Sequence, residues 1–238
     1  MPRPFLTARW SDIVLLTFEA PEGLIRRLIP AGVEPDRWEG RTHVSIVALQ
    51  MHDVRVLGWG IPGFRAHPQV NFRTYIRQGG EPGVWFIRQL VPSRVIAAVG
   101  RLRYEEPFWP TPIRRRVVAT PTDVRAEYGV GPEAFGWHVR ATGAQEARVP
   151  APDSAEHYFT ERVFACRARA DGALGTFRVE HPPWAVREIR AVDYRFDFGS
   201  LYGAEWEFLN RAQPTNVAFA VGSEVAVYPP TISSSASA

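Results

Sequence analysis

At 238 residues, with 45% hydrophobic and 12% aromatic side chains, the chain has the composition of a folded protein that can bury a sizeable core, which excludes intrinsic disorder. No run approaches about 18 uninterrupted apolar residues, so no transmembrane helix is predicted, and Met1-Pro2-Arg3-Pro4-Phe5 lacks the apolar core of a secretory signal. The formal charge is only +3, and all 28 basic residues are arginine, so no side chain can form a Schiff base.

Residues 10–20 read as an apolar strand ending at Pro21, and Leu24, Ile25 and Leu28 as a short helix stopped by Pro30 and Gly32. His43 to Gln50 alternates poorly but is rich in β-branched residues, the pattern of a buried strand. The loop at 58–68 contains Gly58-x-Gly60-x-x-Gly63, a formal dinucleotide fingerprint. Pro62 sits where a helix should start and no βαβ pattern follows, so the segment reads as an ordinary turn.

The stretch from Gln69 to Pro112 organises the chain. Alternation places Asn71, Arg73 and Tyr75 on one face of a strand and Val70, Phe72, Thr74 and Ile76 on the other. The turn at 78–83 returns Val84–Leu90 antiparallel, with Phe86 and Arg88 expected on one face. Ser93 is a candidate N-cap for a helix carrying Val95, Ile96, Val99 and Leu102. The prolines at 107, 110 and 112 then hold Phe108 and Trp109 near Arg101, Arg103 and Tyr104.

Strands are predicted at 114–120, 124–130 and 136–142. Arg114-Arg115-Arg116 reads as a solvated strand edge rather than a nucleic-acid patch, given the low net charge and the lack of a recognition helix. After a turn at 150–154 come Glu161 and Arg162, then His181 at a strand end before two prolines, and Trp184. Ile189–Phe198 reads as a strand and Asn216–Tyr228 as two strands joined by Gly222-Ser223. Residues 1–230 are predicted to form a single domain and 231–238 a flexible tail. Many short strands with turns about every 8 to 12 residues and two or three short helices predict a mainly β, antiparallel architecture.

The run NFRTYIRQGGEPGVWFIRQL, with Gly100-Arg101, Tyr104, Trp10-Ser11-Asp12, the stretch 28–36 with Gly40, Phe159-Thr160-Glu161-Arg162 and His181-Pro182-Pro183-Trp184, resembles the YqjF-like family of the acetoacetate decarboxylase-like superfamily. The likeness spans most of residues 9–187. Arg88-Gln89-Leu90 departs from it, since the family more often has a Ser-Leu-Asp-like triplet there. The resemblance implies a barrel or cone-like sheet enclosing a small-molecule pocket. The superfamily's reactive lysines follow a Gly-Arg-Glu…Pro segment, and setting Gly100-Arg101…Pro107 on it places Phe108 and Trp109 where those lysines would stand.

An arginine inside such a barrel must meet a carboxylate, of the protein or of a ligand. The candidate ligand-binding residues are therefore Asn71, Arg73, Phe86, Arg101, Tyr104, Arg162 and Trp184, around an anionic small molecule. Tyr75, Glu161 and His181 are the candidates for acid–base catalysis. The same residues can instead form a purely structural Arg–Glu–Tyr network. Two functions stay open: an enzyme acting on a small carboxylated or carbonyl metabolite without a Schiff base, or a non-catalytic binding protein using the same pocket. The six histidines show no ligand spacing, so no metal or other cofactor is expected. Neither nucleic-acid nor membrane partners are expected, and a homo-oligomer is possible. The lone Cys166 fits a reducing cytoplasm.

Overall fold

The computed structural model describes residues 3–60, 63–104, 107–162, 164–169 and 171–233, with backbone only at 99, 102–104 and 233. In chain order its first half consists of β1 (Leu6–Glu19), α1 (Glu22–Leu28), β2 (Glu34–Pro35), β3 (His43–Val56), β4 (Trp59–Gly60), β5 (His67–Gln78), β6 (Glu81–Val91), α2 (Arg94–Tyr104) and β7 (Phe108–Pro110). There follow β8 (Ile113–Ala119), β9 (Asp123–Val130), β10 (Trp137–Arg148), α3 (Ala155–Thr160), β11 (Phe164–Ala168), β12 (Leu174–Glu180), β13 (Val186–Arg195), α4 (Phe198–Tyr202), β14 (Asn216–Val227) and β15 (Thr231–Ser233).

Seven strands form a ring in the order β12-β11-β6-β5-β3-β1-β14. Pairing of Val179 with Val227 and of Glu180 with Ala226 joins β12 to β14 and closes it. Strands β13, β10, β9 and β8 extend from β14 as an antiparallel wing, and the short β2, β4, β7 and β15 pair with β5, β3, β6 and β12. The wing covers the outer face of the ring, so Val14, Ile46 and Phe72 share a core with Ala126, Tyr128 and Val139. The inward faces of the same strands supply Leu15, Val47, Leu49 and Tyr75 to a separate interior cluster. This is why β3 alternates poorly: both of its faces are buried, and apolar residues satisfy each. The fold is mainly β, with the ring enclosing an interior.

Several local expectations change. Asn216–Val227 is one continuous strand rather than a hairpin, because Gly222, at φ 90°, bends the strand without reversing it. A Cβ there would lie 2.1 Å from the Trp10 carbonyl oxygen, so only glycine lets β14 pass this close to β1. The predicted strand at 189–198 ends at Arg195, and Asp197 starts α4 by accepting the Ser200 amide at 3.0 Å. Phe198, expected to end that strand, instead opens a helical segment that places Phe198, Leu201, Trp206 and Leu209 in the outer core. Thr231–Ser233 pairs with β12 instead of beginning a flexible tail, and residues 234–238 lie outside the described ones. Asp12, in a β1 bulge at φ 51°, ties ring to wing: its carboxylate accepts from Arg115 and its carbonyl accepts from the Tyr128 hydroxyl at 2.8 Å. Among the described residues no helix is long and apolar enough to cross a membrane.

Candidate functional site

The ring interior divides along its length. Where β1 begins and β3 finishes, the side chains leave a cavity of about 310 Å³, walled by apolar residues such as Trp10, Met51, Phe86 and Phe177. α2 lies across this end. Its N-terminus is capped as the sequence predicts, with the Ser93 hydroxyl accepting the Val95 and Ile96 amides at 3.2 and 3.3 Å. Val95, Ile96 and Gly100 face the cavity. A Cβ on Gly100 would lie 2.2 Å from the Phe108 ring, so glycine is what lets Phe108 come this close to the helix and line the cavity.

The polar side chains of the cavity are His67, Gln69, Asn71 and Gln89. The Gln69 amide nitrogen donates to the Asn71 oxygen at 2.7 Å and to the Gln89 oxygen at 2.8 Å, and all three residues are buried. Rotating the three amides together preserves both bonds, and the trio sets neutral amide groups side by side at the cavity wall. Gln89 reaches the cavity because of a bulge. The register passes from Phe72 opposite Arg88 to Arg73 opposite Phe86, which leaves Ile87 over as the extra residue. Phe86 and Gln89 therefore face inward, whereas Arg88, expected on the same face as Phe86, turns outward. It donates to the Leu201 carbonyl and lies 5.1 Å from the Trp109 ring.

The opposite end of the interior is filled. Tyr75 is buried and shares a 2.6 Å hydrogen bond with Ser45, which pairs in turn with Thr17 at 2.7 Å. Arg73 is also buried. It donates to the Phe159 carbonyl at 2.9 Å and packs on the Tyr75 ring, but it meets no carboxylate among the described residues. Arg162 pairs with Asp36 at 2.7 Å, both side chains being under 5% exposed, and lies 3.9 Å over the Tyr158 ring. Asp36 also accepts from Arg77 at 2.8 Å. Burial, the largest influence on Asp36, disfavours its charge. The Arg162 charge and the hydrogen bonds outweigh that and hold the carboxyl below its ordinary value.

Of the predicted site residues, Asn71 and Phe86 line the cavity. Arg73, Tyr75 and Arg162 belong to the filled end. Arg101 is exposed on α2 and does not face Arg73 across a ligand, and the Tyr104 side chain lies outside the described ones. Glu161, His181 and Trp184 form a third group. The Glu161 carboxylate accepts the Trp184 amide at 3.2 Å and stands 4.0 Å from His181, whose ring stacks on the Trp184 indole at 4.4 Å. None of Tyr75, Glu161 and His181 lines the cavity.

Sequence reading missed Gln69, Gln89 and Asp36. Gln69 was within reach, since the alternation of Asn71, Arg73 and Tyr75 extends one step back to it. Gln89 depended on the bulge, and Asp36 on tertiary pairing. Burial holds His67 below its ordinary pKa, and its Nδ1 is 3.3 Å from the Phe64 carbonyl, so it faces the cavity as a neutral ring. Among the described residues no three His, Cys, Asp or Glu side chains gather as a metal-ligand set.

A family model described as an uncharacterized conserved protein, DUF2071, matches residues 7–224. The chain belongs to the DUF2071 family. It is 22% identical over 183 residues to the uncharacterized protein YqjF of Bacillus subtilis (strain 168), covering 76% of this chain and 75% of that protein. Its fold is similar to that of an acetoacetate decarboxylase from Legionella pneumophila, with a TM-score of 0.63 at 12% identity over 98% of this chain and 88% of the other. It is similar to the same degree to the enduracididine biosynthesis enzyme MppR, solved with the condensation product of pyruvate and imidazole 4-carboxaldehyde. Here the TM-score is 0.63 at 15% identity over 100% and 92% of the two chains. The acetoacetate decarboxylase-like fold implied by the sequence motifs is thus the fold of this chain.

Proposed function

We propose that this protein binds a small, uncharged, largely apolar molecule inside the ring and does so without catalysing a reaction on it. The observation that carries this reading is the Gln69–Asn71–Gln89 amide trio at the wall of an otherwise apolar cavity. Among the described lining residues there is no arginine, aspartate or glutamate. A ligand carboxylate placed there would lose its hydration without meeting a cation, whereas a primary amide, lactam or hydroxyl satisfies neutral donors and acceptors. The expected anionic ligand loses support because its two anchors are elsewhere, Arg73 on a backbone carbonyl and Arg101 in solvent. The enzyme reading loses support because its acid–base candidates do not converge on the cavity, and the lysine-free sequence has no side chain for imine chemistry. The buried Cys166 thiol, pushed up to about 11 by burial, suits a cytoplasmic setting with no redox role.

The test is calorimetric titration with matched pairs, hexanamide against hexanoate at neutral pH. Hexanamide is expected to bind at least about tenfold more tightly, and Gln69→Leu to remove that preference. Tighter binding of the carboxylate, or an unchanged preference in Gln69→Leu, would overturn the reading.

A further inference from the structure

The mouth of the cavity carries a feature that ligand binding inside it does not use. β3 turns into β4 through Leu57 and Gly58, at φ 52° and 84°. Two-residue hairpins of this kind favour asparagine, aspartate or glycine at the first position. This one holds a leucine that is 73% exposed, followed by Trp59 at 79%. Trp59 stands opposite Val56, which lines the cavity, and the Leu57 amide donates at 2.7 Å to the carbonyl of Phe5, which also lines it. Val95 of α2, itself a lining residue, is 56% exposed. Two protruding apolar side chains and one helix-borne valine thus rim the opening.

Among the described residues the unpaired charges around this rim have one sign, the exposed Glu180 beside Val179 being held by Arg178 at 2.9 Å. Arg3, Arg55, Arg94 and Arg101 are exposed, and each lies within two residues of a lining residue (Phe5, Val56, Val95 and Gly100). None of the four forms an ion pair among the described residues. The nearby Asp53 is taken by Arg65 at 3.3 Å, and Glu105 and Glu106, which follow α2, lie outside the described residues. Exposed tryptophan and leucine ringed by unpaired arginine is the chemistry that anchors peripheral proteins at the headgroup level of anionic bilayers, and it requires no spanning helix. A second copy of this chain is a poor occupant, because a two-fold contact would set the arginines against their own copies.

We propose that this rim docks on an anionic lipid surface, with Leu57 and Trp59 inserted and the cavity mouth facing the membrane. The route this gives an apolar ligand rests on the binding reading above, but docking itself does not. The test is therefore flotation of the full chain with vesicles carrying no added ligand, of phosphatidylcholine alone or with about 30 mol% phosphatidylserine. The chain is expected to float with the anionic vesicles only. Leu57→Ser with Trp59→Ser should weaken binding at least about tenfold, and Arg94→Gln about fivefold. Phe208→Ser, at an apolar residue exposed away from the mouth, should bind as the parent does. Failure to float, equal flotation of the double variant, or a Leu57- and Trp59-dependent dimer in sedimentation with no vesicle binding would each overturn the proposal, whatever the titration with hexanamide shows.

Discussion

Along β5 the inward side chains pass from an open cavity to a closed plug within four alternate positions. Gln69 and Asn71 stand at the cavity wall, bonded to each other and to Gln89. Arg73 and Tyr75 lie among Phe159, Tyr158 and Arg162, where a carboxylate, a carbonyl and aromatic faces enclose the charged groups. The difference shows what each kind of polar group permits. Neutral amides can satisfy one another and still stand at a cavity wall. A buried guanidinium needs partners in the protein, and here Arg162 has the Asp36 carboxylate while Arg73 has the Phe159 carbonyl and the Tyr75 ring.

The largest expected effect that tests this division is at the closed end. Asp36→Asn leaves Arg162 buried without a counter-charge and should cost about 3–5 kcal/mol, read as a loss of unfolding free energy in denaturant. A loss below about 1 kcal/mol would mean that the Asp36–Arg162 pair does not secure the plug. The same carboxyl gives the parent an acid limb. Its folded pKa is below the ordinary 3.8, so its contribution is fully present above that value and is lost as the pH falls through the folded pKa. Asp36→Asn should flatten that limb.

A smaller effect sharpens the comparison at the open end. Changing Gln89 alone to leucine deprives Gln69 of a partner and should cost about 1–3 kcal/mol. Replacing Gln69, Asn71 and Gln89 together by leucine should cost less, because no amide of the trio is then left facing an apolar neighbour. A triple variant less stable than the single one would show that the amides are structural rather than a satisfied, ligand-facing set. Smaller still in stability is Gly100→Ala, whose methyl group pushes the Phe108 ring toward the cavity. Hexanamide affinity should fall more than unfolding free energy does, and Gly100→Ala with Phe108→Ala should restore binding.

The smallest change in stability is expected at Arg73. Arg73→Met removes a buried charge with no carboxylate partner and orphans one carbonyl, so the two effects should nearly cancel, to within about 1 kcal/mol, with hexanamide binding unchanged. A loss of 3 kcal/mol or more on thermal or denaturant unfolding would show that Arg73 holds the plug as Arg162 does.

Period-2 alternation determined that Asn71, Arg73 and Tyr75 share the inward face and Val70 and Phe72 the outer core, because every second side chain of a strand must leave on the same side. Composition alone showed that no side chain supplies an amine for an imine, since that depends only on the residue types present. The capped helix after Ser93 and the family's fold were legible for a related reason: both rest on short contiguous motifs. Tertiary structure decided the rest. The bulge at Ile87 chose Gln89 over Arg88 for the cavity, and the fold brought Asp36 to Arg162 across 126 positions of sequence. Gly222 kept β14 in one piece against β1. None of these could be read from the chain in order, because each is set by which distant backbone lies alongside, and local pattern fixes the face a residue takes but not the neighbour it finds there.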